Sequence, residues 1–167
     1  MIAILLAMAA AVDAPQPVCV RMEPVAGFEG WGRPTGSQLS LGNEVTLALK
    51  PAADVDFKPA LARPSKPGAF GGFFPIDVPI AGHYRIALSA GAWADLVSKG
   101  DRLKLAGHGH APACSGIAKI VEYDLQPGRY WLQLSDAKSP NIGVMVVGDG
   151  MVHLNHRDQP KYRKPAG

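Results

Sequence analysis

The sequence predicts an all-β protein: a single antiparallel β-sandwich domain of jelly-roll type. Three observations carry that expectation. Apolar and polar residues alternate at period two along most of the chain, turn residues punctuate the alternation every 8–12 residues or so, and no stretch sustains helical periodicity. Nineteen Gly and 15 Pro among 167 residues break long helices. A content of 47% hydrophobic and 19% charged residues suffices for a core and is too apolar for a disordered chain.

The elements follow in order. Residues 2–12 read IAILLAMAAAV, eleven apolar residues without a charge, too short for the roughly 20 that span a bilayer. With small residues behind them they match the hydrophobic region of a secretory leader, although no Lys or Arg precedes them. We expect 1–14 to be a signal peptide, the protein to be periplasmic or secreted, and the mature chain to have no transmembrane span. The sandwich domain is expected over 15–148. Within it, 18–36 is Gly- and Pro-rich and irregular, anchored by Phe28 and Trp31. Residues 44–50 form a half-buried strand with Val45, Leu47 and Leu49 on one face, and 52–67 is a proline-rich loop with a short extended piece at 55–57. Residues 70–79 are extended and aromatic, with a bulge or close approach at Gly71-Gly72.

The middle of the chain repeats itself. Residues 82–89 (GHYRIALS) and 128–135 (GRYWLQLS) both follow G-x-Y-x-[IL]-x-L-S. On a strand this puts Tyr84, Ile86 and Leu88, and likewise Tyr130, Leu132 and Leu134, on one face. Further strands are expected at 93–97, 121–125 and 142–147; residues 90–98 are the best helical rival. The tail, 149–167, is basic. Within it, residues 153–167 carry Arg157, Lys161, Arg163 and Lys164 against Asp158, or +3, the net charge of the whole chain, so the body before residue 153 is neutral. Four tail charges without a structured groove do not make a nucleic-acid protein.

Function classes narrow by exclusion. There is no GxxxxGK[ST], HExxH or G-x-S-x-G. In an exported protein, Cys19 and Cys114 most simply form one disulfide, closing a loop of about 95 residues worth about 4 kcal/mol in the chain-entropy treatment. The alternative is a thiolate ligand or nucleophile at Cys114. Two cysteines cannot build a four-Cys zinc site. His108 and His110 flank Gly109, so on a strand both rings share one face. With a third ligand (His83, Asp95 or a tail histidine) they could hold Cu, Zn or Fe(II). His153 and His156 with Met145 and Met151 are a weaker copper candidate, since Met145 alternates like a core residue. Carboxylate pairs Asp54/Asp56 and Glu122/Asp124 alternate with apolar residues and read as solvent faces of strands. Phe70, Phe73, Phe74, Trp93 and Trp131 could line an apolar groove or fill the core.

The runs AGHYRIALSAGAWADLV (81–97) and HGHAPACSGIAKIVEYDLQPGRYWLQLS (108–135) resemble a group of small exported alphaproteobacterial proteins that carry the name homogentisate 1,2-dioxygenase. The resemblance covers about residues 15–147. The G-x-Y strand pattern also resembles the small β-sandwich accessory domains of secreted peptidases. The first resemblance implies a metal-dependent oxidoreductase, its ferrous iron held by two histidines and a carboxylate in a larger cytosolic enzyme of cupin type. This chain contains no H-x-x-x-x-x-E-x-x-H run, so no catalytic residue is assigned. The segment Cys114-Ser115-Gly116-Ile117 matches the exported group and fits a disulfide. The leading expectation is an exported, non-catalytic binding or structural module for a small ligand or a periplasmic protein, with a candidate weak metal site at His108 and His110. The dioxygenase reading is the alternative.

Overall fold

The computed structural model describes Cys19 and residues 23–149. The expected leader at 1–14 and the basic tail beyond Asp149, with His153 and His156, lie outside the described residues. Ten strands are described: β1 (Glu44–Ala48), β2 (Lys50–Pro51), β3 (Phe70–Val78), β4 (Gly82–Leu88), β5 (Trp93–Ser98), β6 (Asp101–Arg102), β7 (Gly107–Gly109), β8 (Lys119–Leu125), β9 (Gly128–Ala137) and β10 (Asn141–Gly148), with a 3-10 turn at Ala52–Asp54. They form sheet A, ordered β1-β10-β4-β8-β7, and sheet B, ordered β2-β3-β9-β5-β6, with every pairing antiparallel. Counting β2 with β3 and β7 as an addition to the edge of β8, the eight principal strands run 1-8-3-6 in one sheet and 2-7-4-5 in the other. That is the strand order of a jelly roll.

Period-two alternation builds the core between the sheets. Val45, Leu47, Tyr84, Ile86, Leu88, Val121, Tyr123 and Val144 come from sheet A, and Ile76, Ala94, Leu96, Tyr130, Leu132 and Leu134 from sheet B. The repeat explains itself here, one copy in each sheet. Tyr84 Oη donates to Ile80 O at 2.9 Å, and Tyr130 Oη donates to Gln126 O at 2.8 Å, each to the carbonyl four residues upstream. Both copies thus close a tyrosine corner at the start of a strand. A third tyrosine joins the sheets: Tyr123 Oη, on β8, accepts from Leu96 N–H on β5 at 3.1 Å, and burial pushes its pKa up to about 12.

Two expectations need correction. The strand expected over 44–50 divides at Leu49, whose N–H donates to Pro140 O, so that β1 pairs in sheet A and β2 in sheet B. Leu49 stays buried, and the chain changes sheets without losing its alternation. Residues 55–57 form no strand; Asp54 ends the 3-10 turn and Asp56 follows it, so neither sits on a strand face. The strand expected at 93–97 is β5, not the helical rival over 90–98, because Ala94 and Leu96 enter the core at period two. The bulge is where expected: the β3–β9 register shifts between Phe70 and Gly72. A Cβ on Gly71 would come within 2.6 Å of Leu134 O.

Each sheet also has an irregular segment against its outer face. Residues 23–32 lie on sheet A, where Phe28 (2% exposed), Trp31 and Val25 pack with Ala87, Met145, Val147, Ile117 and Ile120; Thr35 and Gly36 then bond to the edge of β1, and Leu39 and Leu41 pack against the core between the sheets. As expected, Phe28 and Trp31 anchor this segment. Arg85 donates to Ala26 O at 3.0 Å and lies 5.0 Å over the Phe28 ring. Gly27 has φ +83°, and a Cβ there would meet the Arg85 guanidinium, so glycine serves both the turn and the close approach. The expected disulfide holds the segment: Cys19 and Cys114 are bonded, with Cα atoms 5.4 Å apart, and Glu23 N–H donates to Cys114 O beside it. Residues 55–67 lie on sheet B.

Candidate functional site

Two groups of side chains stand apart from the core. The first is on the outer face of sheet A. Register sets His83 opposite Asp124 and Arg85 opposite Glu122. His83 Nδ1 lies 2.8 Å from Asp124 Oδ1, and its Nε2 lies 3.2 Å from Glu122 Oε2. Two carboxylate acceptors ask both ring nitrogens to donate, which only imidazolium does. The hydrogen bond to Asp124 accordingly raises the His83 pKa, helped by Glu122 and by the charge of Asp149. Glu122 and Asp124 do lie on the face opposite the core, as their alternation suggested, but each is turned to the same histidine. With both nitrogens engaged in different directions, the arrangement is a charged bridge between β4 and β8.

The expected metal pair is placed differently. His108 lies in edge strand β7, opposite Val121, and is therefore on the inner side of sheet A. His83 lies on the outer side, with β8 intervening and three register positions away. His110 follows the end of β7, and its Nδ1 is 2.8 Å from Ala118 O. His83 is thus not brought to His108 and His110 as a third ligand. Among the described residues, no group of three His, Cys, Asp or Glu side chains is arranged to hold a metal. His108 and His110 are both exposed, as the glycines around them suggested.

The second group is on the outer face of sheet B. Three strands align there. Asp95 on β5 is opposite Gln133 on β9, which is opposite Phe73 on β3. In the next row Arg102 on β6, Val97, Trp131 and Pro75 line up. Trp93 precedes Asp95 on the same face. Residues 55–67 cross this face on polar contacts. Gln133 Nε2 donates to Pro59 O at 2.8 Å, Arg102 Nη2 donates to Ala60 O, and the Arg63 guanidinium sits 4.0 Å over the Trp93 ring. Lys119 Nζ approaches the same indole at 5.1 Å while donating to Ala92 O, and burial lowers its pKa.

This interface has the buried polar atoms that lack a hydrogen-bond partner among the described residues: Asp95 Oδ2, Arg102 Nε and Gln133 Oε1 on the sheet, and Ser65 Oγ on the covering segment. Asp95 and Arg102 are 3.4 Å apart, an ion pair without hydrogen-bond geometry. Each such group costs about 1–3 kcal/mol when buried unpaired. Ser65 Oγ belongs to a cavity of about 430 Å³ on the segment's other flank, walled mostly by Ala52, Leu61, Pro67, Ala69 and Phe70.

The five aromatics proposed as one groove are distributed over different faces. Phe70 and Phe74 pack against the core. Phe73 and Trp131 stack on the outer face of sheet B with ring centroids 4.8 Å apart and planes 5° from parallel. Trp93 stands at the rim, 42% exposed. Sequence reasoning missed Asp95, Arg102 and Gln133 as a unit. Each sits at an outward position of a correctly placed strand, but only the β6-β5-β9 adjacency brings them together. No helix among the described residues is long and apolar enough to cross a membrane. Neither family models, nor curated proteins, nor solved structures yield a match to this chain.

Proposed function

We propose that the protein is an exported, non-catalytic binding module that uses the outer face of sheet B. The observation that carries this reading is an exposed tryptophan bearing a cation, beside the Asp95–Arg102 ion pair and Gln133 on the outer face of the sheet, under a segment held largely by polar contacts. Ligand sites combine apolar and aromatic surface with a few placed polar groups, and unpaired buried groups concentrate where function needs them. The Cys19–Cys114 disulfide supports export. A weak Cu(II) or Zn(II) site at exposed His108 and His110 goes with this reading as a separate surface feature.

The alternative, a metal-dependent oxidoreductase, has less support. The space between the sheets, where a jelly roll can enclose a ligand, is filled by Tyr84, Tyr123, Tyr130 and aliphatic residues. The test uses the full chain expressed in a Gram-negative host. Release in the periplasmic fraction, with a non-reducing mass two protons below that of the reduced chain, and co-sedimentation with washed cell envelopes are expected. Recovery in the cytoplasm or no envelope association would overturn the reading. Oxygen uptake with homogentisate and added Fe(II) would transfer support to the oxidoreductase.

A further inference from the structure

We propose, resting on the binding-module reading above, that Arg63 and Lys119, held at the exposed indole of Trp93, form a site for a phosphate monoester. Two cations converge on one ring. The Arg63 guanidinium lies 4.0 Å and the Lys119 ammonium 5.1 Å from the Trp93 ring centroid. The two charges therefore lie within the roughly 10 Å Debye length of 0.1 M salt of one another. The ion pairs among the described residues involve neither of them. Asp95, whose charge Lys119 feels, is committed to Arg102 at 3.4 Å. Asp136, which holds the covering segment through Lys66 N–H, is offset in charge by Lys66 itself. Arg63 is exposed and makes no hydrogen bond to the described residues, so its five N–H donors are open to a ligand.

Charge and donor geometry set the ligand class. With Arg102 and Asp95 offsetting each other, two positive charges remain at the indole. A carboxylate would neutralise one of them. A phosphate monoester carries about −1.5 to −2 charges at neutral pH and offers three acceptor oxygens. Two of these oxygens fit the guanidinium fork, and the third is left for the ammonium, which binds phosphate as a point charge. Lys119 Nζ uses one donor on Ala92 O and keeps the other two. Burial lowers its pKa, so it gains more from a counter-charge than a fully solvated lysine does. Trp93 is the platform: its indole, 42% exposed at the rim of sheet B, gathers cations from the covering segment and from β8. Because Arg63 sits over the ring, an apolar ligand meets the guanidinium before it meets the indole, and a cationic ligand is repelled.

The experiment titrates the full, disulfide-bonded protein with methyl phosphate and inorganic phosphate, followed by phosphorus NMR and tryptophan fluorescence. In parallel the protein is sedimented with vesicles of phosphatidylcholine and phosphatidic acid in equal parts. At least one probe is expected to bind, and acetate at the same concentration is expected not to compete. Arg63→Gln is expected to weaken binding at least about tenfold, which corresponds to about 1.4 kcal/mol. Lys119→Gln is expected to weaken it as well; should that variant fail to fold, the exposed Arg63→Gln still decides. Arg33→Gln, which removes an exposed cation elsewhere, is expected to bind like wild type. Binding of methyl phosphate assigns a soluble ester, and binding of the vesicles alone assigns a phosphate carried on a lipid surface; either supports the site. No binding by any probe, binding unchanged in Arg63→Gln, an equal loss in Arg33→Gln or equal competition by acetate overturns the phosphate assignment. If envelope association persists and is lost in Arg63→Gln while no phosphate probe binds, the binding-module reading stands and the ligand class falls. If envelope association is itself absent, the binding-module reading falls.

Discussion

Residues 23–32 cover the outer face of sheet A and residues 55–67 cover that of sheet B, and the two covers are built from different chemistry. The first is an apolar seal. Phe28 is buried among Ala87, Met145, Val147 and Ile117, and a disulfide fixes the chain beside it. The second is joined to its sheet mainly by polar contacts: side-chain hydrogen bonds to Pro59 O and Ala60 O, one from Lys66 N–H to Asp136 Oδ1, and a cation on an exposed indole, with the Phe57 ring against Gly71 as its apolar contact. It lies over the Asp95–Arg102 ion pair and leaves Gln133 Oε1 without a hydrogen-bond partner among the described residues. Segments with few buried apolar contacts open at low free energy, and binding sites are drawn from them. The comparison makes sheet A's cover the apolar one and sheet B's the more polar one, the face on which the proposed binding role rests.

The largest effect is expected where the seal is driest. Phe28→Ala removes a ring that is 2% exposed and should lower unfolding stability by about 3–4 kcal/mol, measured by urea denaturation at unchanged m-value. A loss below about 1 kcal/mol would mean that the apolar cover is not what holds this face, since that is the range of exposed substitutions. Reduction of Cys19–Cys114 comes next. The bond closes a loop of 95 residues, so breaking it should cost about 2–4 kcal/mol. Limited proteolysis should then cut within 23–43 while cleavage within 55–67 stays at its earlier rate. New cuts within 55–67 alone would reverse the comparison.

On sheet B the expected effect is smaller. Arg63→Ala removes an exposed cation–π contact worth about 0.5–1 kcal/mol. Amide hydrogen exchange should accelerate within 55–67 and leave the Phe28 region unchanged. Acceleration in both segments would show that the covers open together.

How much of this was legible in the sequence depends on whether a feature is local. Alternation at Tyr84–Leu88 and Tyr130–Leu134, the bulge at Gly71, the anchoring of Phe28 and Trp31 and the Cys19–Cys114 bond are all found where the residues suggested. Each depends on neighbours in sequence or on a pair with no competitor. The candidate sites depend on which strands lie side by side. His83 reads from the sequence only as a candidate third metal ligand until β4 pairs with β8 and brings Asp124 opposite it. Asp95, Arg102 and Gln133 come from three strands, and no periodicity reveals that β9 lies beside β5. The sheet switch at Leu49 was hidden because its burial keeps the alternation of β1.

The smallest expected effect concerns the part of sheet A's outer face occupied by charged groups. His83 is bracketed by Asp124 and Glu122 from β8, with Asp149 after β10 adding negative charge. Arg85, opposite Glu122, is the nearest cation in register on β4. Because the hydrogen bond to Asp124 raises the folded-state pKa above the ordinary histidine value of about 6.5, the folded state holds this proton more tightly than the unfolded chain. The contribution is therefore fully present below about pH 6.5 and is lost as pH rises through the raised value. Above it, neutral imidazole has one N–H for two carboxylates, and one of them faces a lone pair. The side chain is about one-third exposed (32%), so solvent screening holds the effect below about 1 kcal/mol. Unfolding measured between pH 5.5 and 9 should show wild type losing stability relative to His83→Gln as pH rises, more so at low salt. A constant difference between the two proteins would show that the histidine does not carry its charge in this bridge. The same pH change should leave exchange within 55–67 unaltered, because none of the three groups acting on His83 belongs to that cover.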